Sequence, residues 1–140
     1  MRAEVWDGIR RYEMRTFDTG ATRDDDAGKL DFEGFLSQPA IFRFAEYMHQ
    51  HRVQPDGSLR ASDNWQKGIP EDAYMKSAFR HFFDVWRLHR KGDLYTPEGQ
   101  DALCALLFNV QGLLHEAVRT GPPIQSRLEI EQRRQFRRQP

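Results

Sequence analysis

Apolar residues recur along this chain at helical spacing. Ala40, Ile41, Phe44, Ala45 and Met48 fall three or four positions apart, the interval that places side chains on one face of an α-helix. Ser37 is a suitable cap and Pro39 suits a first turn, so the pattern predicts a helix from near Ser37 to near Arg52. Pro55-Asp56-Gly57-Ser58 then reads as a turn, and Asp63 to Pro70 as a second loop. Pro70 opens the next predicted helix. Glu71 and Asp72 stand in its first turn, where the helix dipole favours acids. Met75, Ala78, Phe79, Phe82, Phe83 and Trp86 form its wide apolar stripe. It is predicted to run to about Arg90, with Gly92 breaking it. Thr96 and Pro97 start a third helix whose expected apolar face is Leu103, Leu106, Leu107, Val110, Leu113 and Leu114. Gly121-Pro122-Pro123 stops it.

The flanks differ. Residues 1–36 are polar and irregular. A short helix over 2–15 is weakened by Gly8 and clustered arginines, and Thr19 to Gly34 reads as loop. Asp24-Asp25-Asp26 lacks the spacing and closing Glu of a calcium loop. Residues 122–140 form a charged tail that alternates Glu and Arg and ends basic. No strand alternation stands out. The expected fold class is all-α: an irregular segment over 1–36, a helical core over 37–121 and the tail.

Composition narrows the function classes. The 140 residues suffice for one domain with a core. Formal net charge is zero with 30% charged residues, which makes nucleic acid an unlikely partner for the chain as a whole, although the arginine tail keeps a DNA-binding module as a distant alternative. No apolar run approaches the roughly 18 residues of a membrane span. The lone Cys104 rules out a disulfide within the chain and a CxxC zinc site, and suits a reducing compartment. The first residues lack the apolar stretch of a signal peptide, and a cytoplasmic location is the expectation.

Candidate chemistry sits on two of the helices. His81 and Asp84 lie three apart on one, and Glu98 and Asp101 three apart on the next. That spacing puts both members of a pair on one helix face, and helical bundles build carboxylate metal sites from such residues on facing helices. Each has a plainer explanation. Acids at a helix N-terminus gain about 0.3–1 kcal/mol from the dipole alone, which fits Glu98 better than Asp101. His81 alone reads as a hydrogen-bonded structural histidine. Beyond Asp101, Ala105, Asn109 and Gly112 continue its side with small or polar groups, leaving room for a ligand that Asn109 would contact. In the loop before the second helix, Asn64 and Trp65 offer hydrogen bonding and stacking to a base. Lys67, Lys76 and Arg80 offer charge to phosphates. Cys104 reads as a small core residue.

The stretches Thr19-Gly20-Ala21-Thr22-Arg23-Asp24, Gly28-Lys29 and Asp63-Asn64-Trp65-Gln66-Lys67-Gly68-Ile69 resemble the phage dATP/dGTP diphosphohydrolase family. So do Met75-Lys76-Ser77-Ala78-Phe79-Arg80-His81 and Ala102 to Asn109. The resemblance spans roughly residues 19–118. That family looks like a branch of the all-α MazG-like nucleotide pyrophosphohydrolases, which bind magnesium through Glu-x-x-Glu and Glu-x-x-Asp on successive helices. Glu98-x-x-Asp101 matches the second motif as it stands. His81-x-x-Asp84 replaces the first, with Glu46 as a possible substitute ligand.

The resemblance implies hydrolysis of purine deoxynucleoside triphosphates to monophosphate and pyrophosphate in a bacterial or phage-infected cell. Asp84, Glu98 and Asp101 would hold Mg²⁺ or Mn²⁺, with His81 as ligand or orienter. Imidazole suits manganese better than magnesium. Three amphipathic helices make a marginal bundle, so a homodimer or higher oligomer is expected to complete the core. The alternative is a catalytically inactive phage accessory protein on the same helices.

Overall fold

The computed structural model describes residues 14–24 and 29–121. Its contacts divide the chain into two units, Met1–Gln38 and Pro39–Pro140. In the first, β1 (Met14–Thr16) pairs antiparallel with β2 (Thr22–Asp24), Met14 opposite Asp24 and Thr16 opposite Thr22. The turn is closed by Phe17 N–H to Ala21 O at 2.9 Å and Gly20 N–H to Phe17 O at 2.8 Å. Gly20 there adopts φ +83°, a left-handed conformation that costs glycine little. This ribbon corrects two expectations. Met14 and Arg15 are strand in a segment read as irregular with a weak short helix over 2–15, and the loop from Thr19 contains β2. The rest of the 2–15 stretch, residues 25–28 and the tail from 122 lie outside the described residues. A one-turn helix, α1 (Phe32–Phe35), also falls in the expected loop, with the Asp31 carboxylate accepting from Gly34 N–H at 2.8 Å.

The second unit is helical. It holds α2 (Gln38–Gln50), a 3₁₀ turn at Asn64–Lys67, α3 (Glu71–Lys91) and α4 (Pro97–Thr120). All three long helices lie where the apolar periodicity predicted them. α3 ends in a Schellman arrangement: Gly92, at φ +83°, donates to His89 O, and Asp93 N–H donates to Leu88 O. Thr96 caps α4, its hydroxyl accepting from Gly99 N–H at 3.2 Å and donating to Asp93 O at 2.6 Å. This short connection folds α3 back against α4 as a helical hairpin.

The hairpin core is small. Tyr74 and Leu88 of α3 are each 1% exposed, and Cys104, Ala105 and Asn109 of α4 are buried with them. Gly112 lets the Tyr74 ring lie directly on the α4 backbone, and Gly99 lets the first turn of α4 abut Leu94 O. Phe108 meets Tyr74 edge-on at 6.0 Å.

The expected core stripes are displaced. Met75, Phe79, Phe82, Phe83 and Trp86 face solvent, Phe79 at 70% exposure, and so do Leu103, Leu107, Val110 and Leu114. The reason lies in helix geometry. At about 100° per residue, Tyr74, Ala78, His81 and Leu88 share a narrow face of α3 that fits the small residues of α4. The aromatic stripe is centred about 120° round the same helix.

Candidate functional site

Arg43 of α2 reaches across to the start of α4. Its guanidinium pairs with the Asp101 carboxylate, and its Nε donates to Gln100 Oε1 at 3.0 Å. That hydrogen bond, with the charge of Asp101 behind it, raises the Arg43 pKa and keeps the group cationic. One turn along α2, Tyr47 is half-buried. Burial is the main cause of its raised pKa, with the Asp101 charge next. Cys104, beneath them on α4, is also raised by burial; Arg43 opposes the rise and Asp101 adds to it. Arg43 thus ties α2 to the start of α4, and Tyr47 lies within electrostatic reach of Asp101 and Cys104.

Beyond Tyr47 a cavity of about 540 Å³ opens between the end of α2, the 60–69 loop and Phe108 of α4. His51 stacks on Tyr47 at 4.0 Å and donates from Nδ1 to Tyr47 O at 2.8 Å. Arg52 and Arg60 are brought together by an isolated bridge between Val53 and Leu59, by Arg60 N–H to Arg52 O, and by Arg52 Nε to Arg60 O at 2.7 Å. Asn64 and Trp65 line the opposite side, and Trp65 is set edge-on to His115 of α4 at 4.8 Å. The cavity is thus lined by aromatic residues and by Arg52 and Arg60, a combination suited to a flat, anionic molecule.

The residues expected to hold metal stand in pairs. His81 Nδ1 lies 3.9 Å from Asp84 Oδ2, and Arg87 lies 3.9 Å from Glu98. Asp101 is engaged by Arg43. By donor type the set suits a divalent cation. By placement within one chain, no three His, Cys, Asp or Glu side chains come together among the described residues.

Of the expected substrate contacts, Asn64 and Trp65 share the cavity, while Lys67, Lys76 and Arg80 are exposed. Asn109 is 3% exposed and donates its amide to Ala105 O at 2.8 Å. Arg43, Tyr47, His51, Arg52 and Arg60 were absent from the expected site. Three of them carried a usable signal, because Arg43, Tyr47 and His51 repeat every four residues, on one side of α2 and the turn that follows it.

No helix among the described residues is long and apolar enough to cross a membrane. No protein-family model matches the chain, and no curated protein or solved structure is significantly similar to it.

Proposed function

We propose that this chain is a nucleoside triphosphate pyrophosphohydrolase that takes purine deoxynucleotides and works as a homo-oligomer in the cytoplasm. The observation that carries the reading is the cavity holding Asn64 and Trp65, whose lining residue Tyr47 also feels the charge of Asp101. Trp65 offers the purine an aromatic surface and Asn64 an amide. Arg52 and Arg60 hold positive charge at the same cavity for phosphates. The resemblance to the phage diphosphohydrolases rests on the same Asn64-Trp65 loop and supplies the preference for dGTP and dATP.

Asp84, Glu98 and Asp101, with His81, are the residues that would hold Mg²⁺ or Mn²⁺. A bound ion would neutralise the triphosphate and lower the pKa of an attacking water. Arg43 and Arg87 occupy two of these carboxylates. An arriving triphosphate competes for the same guanidinium groups, which frees the acids where phosphate charge is greatest.

Pyrophosphate release from dGTP and dATP, measured with Mg²⁺ and with Mn²⁺, tests the reading. Turnover is expected, and Asp101→Asn is expected to abolish it while leaving helicity intact. Full activity in Asp101→Asn would move the site elsewhere. One observation favours a second reading, a non-catalytic interaction protein: Arg43 and Arg87 already neutralise acids that a metal would need. Absence of turnover with either ion supports that reading.

A further inference from the structure

We propose that the outward face of α3 docks a second copy of this chain, with the two α3 helices antiparallel across a two-fold axis near residues 80 and 81. The proposal specifies the surface for the self-association named above and does not depend on hydrolase activity. Phe79, Phe82, Phe83 and Trp86 are 54–70% exposed on this face, and Met75 is 40% exposed. A contiguous aromatic surface of that kind is unusual on a solitary soluble chain.

The size fits a dimer. Aromatic side chains bury about 150–250 Å² each. At the observed exposures the face offers on the order of 500 Å² per copy and about 1,000 Å² across two, the lower bound of a specific interface.

The order of residues selects the occupant. Glu71 and Asp72 lie at the N-terminal end of this face, and His89 and Arg90 at its C-terminal end. The helix dipole accounts for the sign at each end. It also means that an antiparallel copy meets opposite charge at both ends, whereas a parallel copy meets like charge. With the axis between residues 80 and 81, position 71 faces 90, 72 faces 89, 75 faces 86 and 79 faces 82. Every apposition is then acid to base or apolar to apolar, and each residue's partner has the same relation in reverse, as an isologous interface requires.

Two experiments on the full chain test this. Sedimentation equilibrium is expected to give twice the 16.5 kDa chain mass. The mass should fall to one chain in the double variant Glu71→Arg, Asp72→Arg and return to two when His89→Glu and Arg90→Glu are added. Separately, the double variant Met75→Cys, Trp86→Cys is expected to form a covalent dimer under mild oxidation. These positions are about 16 Å apart along one helix, too far for a bridge within a chain. Neither single variant should form that dimer. A monomeric wild type overturns the proposal, as does a dimer indifferent to the charge reversals or a Met75→Cys variant that links to itself. Loss of activity with dimerisation intact would count against the hydrolase reading alone.

Discussion

Gly112 decides how closely α3 and α4 approach. A Cβ at this position would fall inside van der Waals contact of the Tyr74 ring, and Tyr74 has nowhere to go because it is 1% exposed. Gly112→Ala is therefore expected to destabilise the protein by about 1–3 kcal/mol through overpacking, read as a lower urea midpoint. The Tyr74 hydroxyl itself is buried without a hydrogen-bond partner among the described residues. Tyr74→Phe removes that unsatisfied group and is expected to leave stability unchanged or raise it by up to about 1 kcal/mol. The two substitutions separate the ring's packing from its hydroxyl. Tyr47 gives a pH signature. Burial, and then the Asp101 charge, hold its phenol above the ordinary value. The folded pKa therefore lies above the unfolded one. Its contribution is full below about pH 10 and is lost as pH rises through the folded value. Tyr47→Phe is expected to flatten the fall in denaturation midpoint above about pH 10 relative to wild type.

The helices were legible because their ends carry chemistry as well as periodicity. Thr96 and Pro97 marked the start of α4, and Gly92 the end of α3. Gly92 sits at φ +83° with the hydrogen bonds of a left-handed cap. Gly92→Ala is accordingly expected to cost about 1 kcal/mol, seen as a reduced melting temperature with unchanged helicity at low temperature. The ribbon β1–β2 was not legible, since strands of three residues are too short for alternation to register. The inward faces were misjudged for a different reason. Periodicity reveals that a face is apolar but says nothing about what covers it. On α3 the wider stripe of Phe79, Phe82 and Trp86 seemed the obvious core, yet Tyr74 and Leu88 fill it because α4 presents Ala105 and Gly112 to them. The candidate site divides in the same way. Asn64 and Trp65 were readable from residue type in a short loop. Arg52 and Arg60 were not: the Pro55-Asp56-Gly57-Ser58 turn was readable, but that its bridge between Val53 and Leu59 would bring both arginines to the cavity was not.

At the scale of the molecule, the balance between core and exposed apolar surface sets the behaviour. Each α3–α4 hairpin has two fully buried large side chains, Tyr74 and Leu88, and leaves an aromatic stripe and a leucine stripe outside. Apolar burial is the dominant favourable term in folding, so covering these stripes would add to the stability of the hairpin. If a second copy covers the α3 face, folding and association are linked, and stability depends on protein concentration. For a dimer that unfolds to two chains, each tenfold rise in concentration adds about 1.4 kcal/mol to the free energy of unfolding. Thermal melts of wild type over a hundredfold range of concentration are expected to shift steadily upward. The Glu71→Arg, Asp72→Arg variant should instead melt at one temperature throughout, below wild type at every concentration. A wild-type melting temperature independent of concentration would mean that the hairpin is stable with its aromatic face in water, and the exposed stripe would then have no part in holding the fold together.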